Sequence, residues 1–181
     1  MSELREHERL LVGRIAVVVE GRGSPPRPSR EPGSFPPMEL PFQRLDPDAP
    51  LPERAHPGDA GLDLRSMVDL VVEPGARALV PTGLAVAIPE GYAGLVLPRS
   101  GLASRHGLTM ANAPGLIDSG YRGEIICAVV NLDRDQAVRI TRGDRIAQLV
   151  IVPVPAVRPV LVDELPPSSR GEGGFGSTGA R

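Results

Sequence analysis

Glycine and proline interrupt this chain so often that a long helix has almost nowhere to form. The 181 residues include 21 of each, and both residues break helices while suiting the turns between short strands. With 41% of residues hydrophobic, the chain can still build a core, and an all-β domain is the predicted class. Every one of the 20 basic residues is an arginine, which excludes a P-loop lysine, a Schiff-base lysine and a lysine general base. Contacts to phosphate then fall to arginine and to backbone. A formal net charge of -2 gives no electrostatic reason to expect nucleic acid as a partner. The lone Cys127 lies in the apolar run IICAVV and reads as a buried structural thiol, which suits a reducing cytoplasm. Acidic residues precede the apolar N-terminal stretch and Arg14 interrupts it. Neither a signal peptide nor a membrane partner is expected, and the predicted location is cytoplasmic.

Three segments differ in composition. Residues 1–37 are an extension that ends in the linker GRGSPPRPSREPGSFPP, expected to be poorly ordered because it has no apolar period. Residues 38–164 carry short apolar or alternating runs separated by turn signals, the pattern of a sandwich or jelly roll. Strands are predicted at 68–73, 78–89, 92–98, 123–132, 137–141, 145–153 and 157–162, with one helical turn at 100–107 ended by Gly107. Residues 165–181 form a Gly- and Ser-rich arm that cannot bury enough to fold alone.

Five clusters could carry chemistry. In GDAGLDLRS (58–66), Asp59 and Asp63 suit a hydrated Mg²⁺ or a turn. In PRSGLA (98–103), Arg99, Ser100 and the following backbone N–H groups suit an anion, although Arg99 reads equally as a surface charge. NAPGLIDSGYRGE (112–124) reads as a glycine-punctuated hairpin with Asp118 and Tyr121 near its bend. A splayed hairpin offers unpaired backbone groups to a flat ligand, with Asp118 as base for a bound water or simply as the cap of an Asx turn. In RGDRIAQL (142–149), Gln148 is a polar residue in an apolar run and needs a partner; the RGD triplet is weak evidence for adhesion. The tail RGEGGFGSTG (170–179) has the glycines and hydroxyls of a phosphate cradle and one aromatic able to stack on a base, but lacks a Walker lysine.

In this order and at this spacing, the five clusters resemble the motifs of the homotrimeric dUTPase family, over about residues 38–179. The resemblance implies an all-β jelly roll of the β-clip type, assembled with two further copies of itself around three shared active sites. Each flexible C-terminal arm would close a site on a neighbouring subunit. It implies hydrolysis of dUTP to dUMP and diphosphate with Mg²⁺, which keeps uracil out of DNA and supplies dUMP for dTMP synthesis. Asp118 matches the carboxylate that activates the water attacking the α-phosphorus, and Tyr121 the ring that packs on deoxyribose and leaves no space for a 2′-hydroxyl. Asn112, Gly115, Leu116 and Ile117 match the uracil-reading groups, and Arg99, Ser100, Gly101 and Gln148 the phosphate contacts. Asp63 matches the carboxylate that holds the metal through water; on the arm, Arg170, Gly176, Ser177 and Thr178 match phosphate contacts and Phe175 the stacking aromatic.

Two rivals share the fold. A dCTP deaminase, or a bifunctional deaminase and dUTPase, resembles the chain around IDSG but uses a glutamate on the next strand, where this sequence has Ala128. A non-catalytic nucleotide-binding jelly roll would have no use for a positioned base at Asp118.

Overall fold

A computed structural model describes residues 38–169, 171 and 172. The chain divides into two units, Met1–Met38 and Glu39–Arg181, and every element named here belongs to the second. The elements are β1 (Phe42–Arg44), β2 (Leu62–Arg65), β3 (Leu70–Val72), β4 (Arg77–Val86), β5 (Tyr92–Pro98), α1 (Ser100–His106), β6 (Leu108–Met110), β7 (Gly115–Ile117), β8 (Glu124–Asn131), β9 (Val138–Ile140) and β10 (Arg145–Pro153). One four-stranded sheet runs β1-β4-β8-β6, another runs β2-β10-β5-β7, and β3 pairs with β9. Each strand pairing is antiparallel. The result is the expected jelly roll.

Alternation along the strands supplies the core. In β8 the inward residues Ile125, Cys127, Val129 and Asn131 are buried, while Ile126 on the other face is exposed. Ile125, Cys127 and Val129 share one core with Val80 of β4 and with Leu64, Val96 and Leu149 of the other sheet, and each fully buried Leu or Val contributes about 1.5–3 kcal/mol relative to exposure. Burial pushes the Cys127 thiol up to about 12, so it is a protonated core side chain rather than a nucleophile. Buried polar groups are paired. Asn131 Nδ2 donates to the carbonyls of Val72 (2.9 Å) and Gln136 (2.8 Å), and its Oδ1 accepts from Asp133 N (2.9 Å), which ties β8 to β3 and to the following loop.

The RGD triplet is a structural turn. Arg142 N donates to Asp69 Oδ1 (2.7 Å), its guanidinium meets Asp46 (3.2 Å), and Asp144 Oδ2 accepts from Thr141 N (2.8 Å).

One expectation changes and another gains its cause. The run at 157–162 forms no strand: it continues past β10 with Val157, Val160 and Leu161 exposed at 81%, 70% and 102%. Its apolar composition signals burial, but among the described residues no strand pairs with it, and Pro155 and Pro159 lack the N–H a ladder needs. The hairpin at 112–124 is splayed, as expected. Its first arm, β7, pairs with β5, while its second, β8, pairs with β4 and β6 in the other sheet. The splay is therefore a property of the jelly roll, whose two sheets draw the arms apart.

Candidate active site

Sheet register assembles one constellation from three distant segments. On β10, Gln148 sits opposite Asp63 of β2 on one side and opposite Leu97 of β5 on the other. Directly opposed residues share a face, so Asp63, Gln148 and Leu97 form one row across three strands. Arg99 lies two residues beyond Leu97 in extended backbone (φ -87°, ψ 124°), which keeps it on that face before α1 begins. A β-bulge between Arg145 and Ala147 leaves Ile146 and Ala147 both buried. That extra residue turns Arg145 outward to the same row.

Charge pairing fixes the row. Arg99 Nε meets Asp63 Oδ1 at 3.0 Å and Arg145 Nη1 meets Asp63 Oδ2 at 3.0 Å, on a carboxylate whose side chain is only 14% exposed. Gln148 finds the partner its position demands, donating from Nε2 to the Pro98 carbonyl (3.0 Å). Gly61 is small because a Cβ there would collide with Gln148 Oε1. Asp63, Arg99, Gln148 and Gly61, together with Ser100, Gly101, Arg105 and Asp59, line a cavity of about 460 Å³, while Arg145 lines a different cavity that also includes Asp63. No side chain caps the start of α1 at its rim. Cations, a hydroxyl and an amide in one polar cavity suit a polyanion.

A second cavity, of about 170 Å³, opens where β7 and β8 diverge, and its lining includes Asn112, Gly115, Leu116, Ile117, Asp118 and Tyr121. The Asp118 carbonyl accepts from Tyr121 N (3.0 Å), which closes a tight turn. Arg122 Nη1 donates to the carbonyls of Ser119 (2.6 Å) and Tyr121 (2.7 Å) and clamps that turn. Tyr121 folds back so that its hydroxyl donates to the Glu124 carbonyl (3.0 Å), over Gly123, where a Cβ would collide with the phenol. Asp118 remains exposed at the mouth. Glu124 is occupied elsewhere, its Oε1 accepting from Gly83 N (2.7 Å). Ala128 pairs with Leu79 of β4 and lines neither cavity.

A slot beside an open carboxylate and a separate cationic cavity are the parts that a nucleotide-cleaving site requires. A family model described as dUTPase matches residues 47–179. The chain belongs to the dUTPase family. The deoxyuridine 5'-triphosphate nucleotidohydrolase of Thermobifida fusca is 59% identical over 78% of this chain and 79% of its own length. The corresponding protein of Streptomyces coelicolor is 60% identical over 78% of each chain. Among solved structures, the Staphylococcus bacteriophage 80alpha dUTPase with dUPNHPP aligns at a TM-score of 0.74 and 37% identity, over 78% of this chain and 99% of that one. A variant dUTPase of the S. aureus phage phi11, described with the coordination of a structural Mg(II) ion, aligns at 0.65 and 33% identity over 70% and 98%.

Within this dUTPase-family chain, the expected site residues fall into two groups. Asn112, Gly115, Leu116, Ile117, Asp118 and Tyr121 share one cavity; Asp63, Arg99, Ser100, Gly101 and Gln148 share the other, and no residue lines both. Arg170, Phe175, Gly176, Ser177 and Thr178 lie outside the described residues, as does the extension 1–37. Sequence reasoning gave Arg145, Arg122 and Gly61 no role. Arg145 has no local signal, because its place depends on the bulge and on a strand about 80 residues away. Gly61 and Arg122 also lie within the motif clusters, but the crowding at Gln148 and the reach to Ser119 become visible only in three dimensions.

Proposed function

We propose that the chain hydrolyses dUTP to dUMP and diphosphate by in-line attack of a water activated by Asp118 on the α-phosphorus. The observation that supports this most directly is the exposed Asp118 carboxylate at the mouth of the β7–β8 slot, within reach of a water beside a bound nucleotide. In this reading Asn112 and the backbone from Gly115 to Ile117 take the uracil edge. Tyr121, pinned at its hydroxyl, packs on deoxyribose and rejects UTP sterically. Arg99, Ser100, Gly101 and Gln148 bind the phosphate chain, and the arm residues Arg170, Phe175, Gly176, Ser177 and Thr178 close over it.

Because the two groups line separate cavities on one chain, the reading includes a homotrimer in which one subunit's slot faces another's cationic cavity. Exposed Leu79 and Ile126 on the outer face of β4 and β8 support burial against a second copy.

The donor set fits a substrate-borne Mg²⁺. The carboxylates lining the cavity are Asp59 and Asp63, and among the described residues no group of three His, Cys, Asp or Glu side chains comes together. A metal that keeps its waters and takes triphosphate oxygens needs no protein cage, and Asp63 would hold it through one such water. When bound, the ion would neutralise phosphate charge. No helix among the described residues is long and apolar enough to cross a membrane.

Pyrophosphate release from dUTP, dCTP, dTTP and UTP with Mg²⁺ tests the reading: dUTP is turned over and the other three hardly at all. Equal turnover of UTP would remove the role given to Tyr121. Ammonia release from dCTP would replace the reading by deamination.

A further inference from the structure

We infer that Arg105 is a phosphate-binding residue of this site, acting on the β- and γ-phosphates; the inference rests on the reading of the cationic cavity as the triphosphate site. Arg99 and Arg145 are not free cations, since together they hold the single carboxylate of Asp63. Asp59 adds a second carboxylate to the same cavity. The charged groups of the lining are Asp59, Asp63, Arg99 and Arg105, so without Arg105 the carboxylates outnumber the cations, and such a cavity repels a polyanion. Of the two arginines in the lining, Arg105 is the one that no described carboxylate pairs.

Its geometry points the same way. A basic residue in the last turn of a helix ordinarily serves the C-terminal carbonyls. Arg105 instead folds back along α1: its Nε donates to the Gly101 carbonyl at a weak 3.3 Å, and its Nη2 lies 2.9 Å from where a Gly101 Cβ would stand. The missing side chain at Gly101 thus leaves room for a guanidinium beside the first turn of α1, next to Arg99 and Ser100. Among the described residues Arg105 makes no ion pair. Behind it, a cavity lined by His106, Asp133 and Arg139 offers one carboxylate, but Asp133 Oδ1 is taken by the N–H groups of Asp135 and Gln136 (2.9 Å each). The exposed guanidinium keeps both Nη groups for a ligand, and a fork of that shape suits bidentate phosphate contact.

The test is titration of the full chain with dUMP, dUDP and a non-hydrolysable imido analogue of dUTP, each with Mg²⁺. Arg105→Gln is expected to weaken the analogue about tenfold, the scale of one charge-assisted hydrogen bond, to weaken dUDP less and to leave dUMP within about twofold. Arg105→Lys should recover part of the loss. Unchanged analogue binding in Arg105→Gln would overturn the inference. So would an equal loss for dUMP and the analogue, because that marks a residue that merely braces the loop. A wild-type chain that bound neither dUMP nor the analogue would overturn the reading of the site, and the inference with it.

Discussion

The slot and the cationic cavity are built on opposite principles. The slot comes almost entirely from one continuous stretch, Met110 to Ile126, joined by Val96 of β5. Its shape is held by contacts between residues one to three apart, such as Tyr121 hydroxyl to Glu124 carbonyl and Arg122 to Ser119. The cavity draws on three segments whose side chains meet only because β2, β10 and β5 pair in one register. Its defining bonds span tens of residues, as in Arg145 to Asp63. A local device can shape a pocket around a flat base, whereas a polyanion needs several fixed charges, and a single turn cannot supply them.

The contrast is sharpest at Asp118, which belongs to the slot but would do its chemistry at the phosphate. Asp118→Asn preserves the shape of the turn and removes the charge. Turnover should fall by about 10²–10⁴-fold while binding of the imido analogue of dUTP stays near wild type. Full activity in this variant would reduce Asp118 to a turn residue and leave the slot a pure binding device.

Two alanine substitutions probe the regions separately. Gly61→Ala drives a Cβ into Gln148, and Gly123→Ala drives one into the Tyr121 phenol. The first should raise KM for dUTP roughly tenfold, as one phosphate contact is lost, with preference for dUTP over UTP intact. The second should erode that preference instead. If both variants lost affinity and discrimination alike, the two regions would be one cooperative unit and the contrast would fail.

The smallest effect is expected from the scaffold beneath both. Cys127 has its folded pKa raised from 9.0 to about 12 by burial. A group raised in this way stabilises the fold fully below its unfolded pKa and loses that contribution as pH rises toward the folded value. Stability should therefore begin to fall above about pH 9 in wild type and less steeply in Cys127→Ala, measured as melting temperature against pH. An identical pH slope in the two proteins would show that the thiol contributes nothing to it.

Most strands were legible because alternation of apolar and polar residues is a local property. β5 and β10 coincide with their predicted bounds of 92–98 and 145–153, and α1 stops at Gly107, whose φ of 66° requires a residue tolerant of the left-handed region. The short strands β1, β2 and β6 were not legible, since FQR, LDLR and LTM stand in no longer apolar or alternating run, unlike the equally short β3 and β9. The run at 157–162 shows the reverse error: an apolar pattern reports a need for burial and says nothing of which strand, or which copy, meets it.

By itself, then, the sequence determined the all-β class, the reliance on arginine for positive charge, and the ordered set of motifs that marks the dUTPase family, because each depends on residue type and near-neighbour spacing. The tertiary structure alone decided that Asp63 is held by two arginines, that Arg105 enters the same cavity without a described carboxylate partner, and that Asp118 and the cavity occupy separate parts of one chain. Those facts depend on strand register, on one bulge and on the divergence of β7 from β8. Register is set by the packing of the whole core, and no local stretch of sequence contains it.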